Sequence, residues 1–427
     1  MGKVFNEHAY GKEAGILRVN DKPIRVRANW ISNQLVEWRR TLHQYPELSF
    51  QEFQTAKFVA QTLRDIGGID VQTGVGVDTG VVGVLTSGDG PTIAVRADMD
   101  ALPIQEENEK AYRSKNDGVM HACGHDAHTA ILLGVATILA PLFQSGELKG
   151  TVKFVFQPAE ESTDEYGLSG SPYMIRAGVY DHVDAAIALH MCPWLPVGAV
   201  QINDGYSMAN VDVFRGKIYG TGGHGAYPEL GTDPIWMLGP VMQALYGITS
   251  RKVSSLDAAV ISIGRIQAGS ASNIIPTEVF IEGTMRSYTP EVRDLLELEL
   301  KKAFSIVGNL GGSYSLHVER GEPALNNHSV VNRWITKTVS EIYPDFQIVK
   351  KPFGLGGEDF GYVSQKIPSS LFFLGCAIQD GVKRELHTPI FDIDEACLPI
   401  GTAILAQTVV HFLNGKVSLS ANEMLEV

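Results

Sequence analysis

The chain has 427 residues, 44% of them hydrophobic and 19% charged, with a formal net charge of −13. The length predicts two domains, and without a basic surplus a nucleic-acid or anionic-membrane partner is not expected. The opening MGKVFNEHAYGKEAG lacks an apolar run like a signal-peptide core, Asn6 stands where a myristoylation signal has Ser or Thr, and no apolar segment reaches the ~20 residues of a membrane span.

In chain order, residues 1–30 show little pattern and read as an N-terminal arm. From 31 to 66 apolar residues recur at helical spacing, with ELSFQE beside Pro46 as a break between two helices. GVVGVLTS (80–87) and TIAVRAD (92–98) are short and β-branched. AHTAILLGVATILAPLF (127–143) is helical, TVKFVFQ (151–157) is a strand closed by Pro158, and DAAIALH (184–190) is another strand. This alternation predicts an α/β fold with a largely parallel sheet. From 211 to 320 the order becomes strand, helix, strand, strand, helix, strand, which resembles a ferredoxin-like α+β module. A helix (328–343), the Gly-rich GLGGEDFG (354–361), the strand SLFFLGC (370–376) and a helix (394–414) follow. The expected organisation is a catalytic metal-binding domain over 31–206 and 322–427, with residues 207–321 inserted as a second domain.

Polar groups gather just past the predicted strand ends: Asp98 and Asp100 after TIAV, Glu160 and Glu161 after VKFVFQ, His190 after AAIAL, and His387 beyond SLFFLGC. Ligands in open α/β sheets bind outside the carboxyl ends of the strands. Singly, each residue has a plain structural explanation. A lone Cys is usually a small buried hydrophobe, and Glu106–Glu107 read as a solvated face. Glu160–Glu161 differ, because they follow an apolar strand and a proline, where two ionised carboxylates are costly without compensation. Thiolate, imidazole and carboxylate together suit zinc and its neighbours. HACGHDAH (121–128) concentrates such side chains, with Cys123 and His125 on the irregular segment before a helix that Asp126 can cap. His43, His121 and His128 are expected to pack or to buttress the site. No phosphate loop, nucleophile elbow or HExxH motif occurs. The four cysteines, Cys123, Cys192, Cys376 and Cys397, form no CxxC pair, so a reduced, cytoplasmic protein is expected.

RRTLHQYPELSFQE (39–52), RADMDALP (96–103), MHACGHDAHTA (120–130), FQPAEE (156–161), HGAYP (224–228), DPI (233–235), NIIPTE (273–278), GTMRS (283–287) and LHTPIFDID (386–394) together resemble a dinuclear metallopeptidase and aminoacylase family. The nearest branch is the N-acyl-amino-acid amidohydrolases, with hippurate and auxin-conjugate hydrolases as relatives. The resemblance runs from about residue 31 to 412. It implies hydrolysis of the amide bond of an N-acyl amino acid or short peptide by two divalent ions per subunit, zinc or manganese, with cobalt or nickel as alternatives. Cys123, His125, Glu161, His190 and His387 match its metal ligands and Glu160 its general base. Asp98 matches an acid that orients a ligand, and His224 a histidine that reaches the substrate carbonyl, often in the partner subunit's site. Asn273 and Arg286 match residues that hold the substrate or its carboxylate, and Gly357 lies in the loop expected beside it. The inserted domain is expected to serve as a lid and to form a homodimer or higher homo-oligomer. Arg96 stands where many members place a metal-binding His, and Cys123 where many place a bridging Asp. A dipeptidase or carboxypeptidase of the same fold, or a non-catalytic metal-binding relative, are the alternatives.

Overall fold

The computed structural model describes residues 22–419. Residues 1–21 of the expected arm lie outside the described residues, and the rest of that arm is not loose. Ile24–Trp30 is a helix that buries Ile24, Arg27 and Ala28. Pro23 precedes it, and the Arg27 guanidinium donates to the Ile138 carbonyl at 2.5 Å. The buried side is short and irregular, which is why no helical period is visible there.

The larger sheet has eight strands, in the order Asp70–Thr73, Val81–Ser87, Gly150–Gln157, Thr92–Asp98, Ala185–Pro196, Ser369–Ala377, Ala199–Gln201 and Gln347–Val349. Its middle four strands are parallel. Antiparallel pairs flank them. Successive residues point to opposite faces. Ile93, Val95, Ile187 and Leu189 join the core under the long helices, while Ala94, Ala186 and Ala188 join a second core on the other face. The middle strands are therefore apolar on both sides, and polar residues appear only where they end.

His125–Gln144 is a 20-residue helix, apolar enough to span a bilayer, but 89% of its apolar window is buried within the protein. It packs on Ser32–Gln44, on Cys397–Leu413 and on the strand Thr92–Asp98. An all-round apolar helix of this kind is a core helix. It begins two residues earlier than its apolar pattern does.

The second sheet is antiparallel, in the order Ala259–Ala268, Glu278–Ser287, Asn210–Tyr219 and Ser313–Arg320. Helices Pro234–Arg251 and Pro290–Asn309 enclose its core with Phe214, Ile218, Met237, Leu296 and Phe304. Both helices start on Pro. Asp233 caps the first by accepting from Ile235 N–H and Trp236 N–H, and Thr289 caps the second by accepting from Val292 N–H. Strand order and connection give the ferredoxin-like α+β arrangement. The fold as a whole is α/β with a largely parallel sheet plus this inserted module.

Candidate metal centre

Four adjacent parallel strands bring these groups together: Asp98 ends Thr92–Asp98, Glu160–Glu161 follow Gly150–Gln157 and His387 lies in the loop after Ser369–Ala377, while His190 does not close its strand as expected but sits within Ala185–Pro196. Cys123 Sγ lies 3.4 Å from His190 Nε2 and 3.4 Å from His387 Nε2. The His190 Nδ1–H donates to the Met191 carbonyl at 2.8 Å, so the Nε2 lone pair faces the sulfur. Glu161 Oε1 is 3.3 Å from His387 Nε2 and 3.8 Å from His125 Nε2. The His125 Nδ1–H donates to Asp100 at 3.2 Å, which leaves Nε2 as a lone pair. The five side chains expected as ligands thus stand within reach of one another.

Backbone shape puts them there. His387 has φ 60° and Ala159, just before Glu160, has φ 51°. Both are non-glycine residues in the left-handed region, held by their surroundings. The His387 N–H donates to the Ala122 carbonyl at 2.9 Å, tying the late loop to the Cys123 segment. Glu52 accepts from Ala159 N–H at 2.8 Å. Gly124 has φ 92°, and a Cβ there would stand 2.7 Å from the Met191 side chain. Only glycine serves at that turn. Because Gly124 turns the chain, His125 is the first residue of the helix rather than part of an irregular lead-in.

The donor set fits a cation. His125 Nε2 and Glu161 Oε1 are buried and have no hydrogen-bond partner, an arrangement that is costly unless an ion completes it. Burial pulls the His125 pKa down, but Asp98, Asp100 and Glu161 override this and raise it to about 10. Without a cation, a proton takes its place. Burial, then Glu161 and Glu160, push the Cys123 thiol well up, so a thiolate here needs positive charge beside it. Glu160 shares its surroundings with His125 and Glu161 on one side and with Glu358 and Asp359 on the other. Burial and the charges of Glu358 and Glu161 push its carboxyl well up, which suits a group that carries a proton.

Arg96 is fully buried as a fixed cation behind this rim. One Nη donates to Asp98 at 2.7 Å, and the other lies 2.9 Å from both Glu358 and Asp359. Asp359 also accepts from Gln157, Ser169 and the Ser171 N–H, which anchors the end of the Gly-rich loop beneath the site.

Several expectations change. The acid that accepts the His125 Nδ1–H is Asp100, not Asp98. Asp98 accepts the His128 Nδ1–H at 2.6 Å, and His128 Nε2 accepts the Met191 N–H at 2.9 Å. His128 is thereby a neutral strut. Asp126 does not cap its helix. It accepts from Arg39 at 2.8 Å and from His43 at 2.7 Å. Glu106 is not a solvated residue but is buried, accepting from His43 at 3.2 Å, Asn108 and the Ser114 N–H at 2.6 Å. His121 is buried with neither nitrogen partnered, and burial lowers its pKa to about 4.

The second sheet carries the remaining expected residues in two groups. His224 and Asn273 are together, with the Gly225 N–H donating to the Asn273 carbonyl at 2.9 Å and His224 paired in register with Ile274. His224 Nδ1 accepts the Ala226 N–H at 3.0 Å, so Nε2 carries its hydrogen outward. Both residues are exposed, and among the described residues no hydrogen bond or ring contact links His224 to the Cys123 cluster. Arg286 is half-buried beside Gly357 and Glu322. Glu322 and Glu358 are the polar groups whose part in this region the strand-end pattern does not single out.

Peptidase family M20/M25/M40 matches residues 94–411. The chain is 38% identical over 388 residues to the thermostable carboxypeptidase 1 of Saccharolobus solfataricus, covering 90% of this chain and 96% of that protein. It is 37% identical over 413 residues to the N-acetyl-L-cysteine deacetylase of Bacillus subtilis, covering 96% and 94%. A crystal structure of a Bacillus subtilis protein, described as a dinuclear metal binding peptidase of the M20 family, superposes with a TM-score of 0.78 at 34% identity, covering 90% of this chain and 99% of that one. With the match extending over most of its length, the chain belongs to peptidase family M20/M25/M40.

Proposed function

We propose that this metal-dependent hydrolase cleaves the amide bond of N-acyl amino acids, giving a carboxylic acid and a free amino acid. The observation that carries the reading is the meeting of buried Cys123, His125 and His190 with partly buried Glu161 and exposed His387 beside Glu160, where His125 Nε2 and Glu161 Oε1 have no hydrogen-bond partner. Those five side chains would hold two divalent ions, zinc or manganese, with cobalt or nickel as alternatives. Such ions supply Lewis acidity, which makes hydroxide available near neutral pH and polarises a carbonyl.

The chain's own residues do the rest. Glu160 takes the proton of the attacking water and returns it to the leaving nitrogen. Glu161 stays a ligand, because Asp100 holds its backbone N–H at 2.9 Å. Asp98 steadies His128, which fixes the Met191 N–H next to His190. Arg286 takes the substrate carboxylate, with Gly357 leaving room beside it. His224 offers its outward Nε2–H to the developing oxyanion, and Asn273 stands with it. Their exposure supports a homodimer in which the module at 207–321 closes over the site of the partner subunit. The carboxypeptidase and deacetylase names of the relatives support amide cleavage next to an amino acid.

The test is a turnover panel on metal-loaded protein, with N-acetyl amino acids, hippurate and dipeptides compared by kcat/KM. The proposal expects the N-acyl amino acids to lead. Dipeptides turned over faster than every N-acyl amino acid would move the protein to the peptidase reading. No hydrolysis with any of the four metals would leave only a metal-binding role.

A further inference from the structure

Beside the candidate centre, a guanidinium and a carboxyl group face the same glycine without joining. Glu322 is the second residue after the strand Ser313–Arg320, where the chain leaves the four-stranded sheet. Its carbonyl accepts the Val211 N–H at 3.0 Å. Its Oε2 lies 2.7 Å from the place a Cβ on Gly357 would occupy, and Arg286 Nη1 lies 3.7 Å from the same place. Among the described residues the two form no ion pair. The gap is therefore wider than the ~4 Å of an ion pair, and no wider than those two distances laid end to end. Both groups keep hydrogen-bonding capacity to spare. The Arg286 Nε donates to Thr284 Oγ1 at 3.2 Å, leaving both Nη groups for a ligand. The Glu322 carboxylate accepts no hydrogen bond among the described residues, and burial with the nearby charges of Asp359 and Glu358 raises its pKa to about 8 despite Arg286.

A half-buried guanidinium and a largely buried carboxyl group are held just short of each other, and a third body that reaches both would complete their hydrogen bonding. That body needs an acceptor for the arginine fork and, a few bonds away, a donor for the carboxylate. The N–Cα–COO⁻ unit of an α-amino acid has this layout. Glu160 and Glu161 lie near enough to feel the charge of Glu322, so the gap adjoins the candidate centre.

We infer that Glu322 accepts a hydrogen bond from the amino acid's nitrogen while Arg286 holds its carboxylate, so that the pair forms a subsite for the amino-acid half of the substrate. This rests on the amidohydrolase reading for the direction of turnover. In the substrate the donor is the scissile amide N–H, a neutral donor. After cleavage it is an ammonium, and the hydrogen bond becomes a charge-assisted one. The free amino acid is then held more tightly than its acylated form is at that contact, and the enzyme is inhibited by its amino-acid product.

The test compares inhibition and equilibrium binding of the metal-loaded protein by L-leucine and by isocaproate, its counterpart without the amine. Leucine should bind about tenfold tighter, the worth of one hydrogen bond between charged groups. In Glu322→Gln the preference should shrink to within about threefold. Equal binding of the two probes by the wild type overturns the subsite, and so does a variant that keeps the full preference. The wild-type comparison decides the matter even if the variant does not fold. A protein that prefers leucine but hydrolyses no N-acyl amino acid refutes the reaction and keeps the subsite. Hydrolysis without the preference does the reverse.

Discussion

Asp100 accepts the His125 Nδ1–H across 3.2 Å with one oxygen and the Glu161 backbone N–H at 2.9 Å with the other. A single carboxylate thus aims two of the candidate ligands, and Ser49 Oγ holds it in turn at 2.7 Å. Outer partners of this kind set ring orientation and basicity. Asp100→Ala should weaken metal binding about 10–100-fold, read by competition against a chromophoric chelator. Unchanged affinity would show that the two ligands are aimed by something else.

Glu160→Gln keeps the shape of the side chain and removes its proton chemistry. Turnover should fall at least ~100-fold, while metal content measured after gel filtration stays that of the wild type. An active variant would place the base elsewhere. A metal-free variant would put Glu160 among the ligands.

Arg39 is fully buried and serves three carboxylates: Asp126 at 2.8 Å, Asp392 at 3.0 Å and Glu395 at 3.3 Å. Two of these acids are themselves buried, so Arg39→Met strands them. The loss should be about 3–5 kcal/mol in denaturant unfolding, the usual cost of removing one partner of a buried pair. Arg39→Lys should rescue little, because a point charge cannot reach three acceptors in a fork. A loss below ~1 kcal/mol would mean that water reaches the network.

Burial, with Asp359 and Glu358 nearby, raises the Glu322 carboxyl from its ordinary value of 4.5 to about 8. A raised acid binds its proton more tightly when folded. Its contribution therefore lowers stability as pH rises from 4.5 towards 8. Glu322→Gln removes that dependence. In chelator-treated protein the variant should gain on the wild type by at least ~1 kcal/mol between pH 5 and pH 8, seen as a widening Tm difference. A constant difference across that range would mean that the wild-type carboxyl is ionised throughout.

The α/β order was readable because the middle strands are apolar on both faces, so Thr92–Asp98 announces itself as a run that ends in an acid and AAIAL as a run followed by His190, although the strand continues to Pro196. HACGHD and PAEE stood out for the same reason, as charged or ligating groups placed where an apolar element stops. The long-range polar pairs carried no local mark. Glu106 looks like half of an ordinary solvated pair, and only the fold brings His43 over it. Asp126 reads as a cap until Arg39 and His43, more than 80 residues earlier in the chain, claim its oxygen. The helix start at His125 depends on Gly124 adopting φ 92°, a choice that apolar periodicity does not register. Glu322 sits between a strand and a proline, with nothing nearby in sequence to suggest Arg286 or Gly357.

The strand Ser369–Ala377 lies between Ala185–Pro196 and Ala199–Gln201 in the finished sheet. Both neighbours leave the ribosome long before it. Until it arrives, each presents a row of unpaired N–H and C=O groups, the kind of edge that invites pairing with another chain. His387 follows shortly after this strand, so the sheet is sealed and the pocket around Cys123 is completed by nearly the same stretch of translation. A prematurely released polypeptide would fail on both counts at once, unable to gather its last imidazole and left with an adhesive gap in its largest sheet. Synthesis of residues 369–387 is in that sense the step that both closes the sheet and brings the last imidazole to the site.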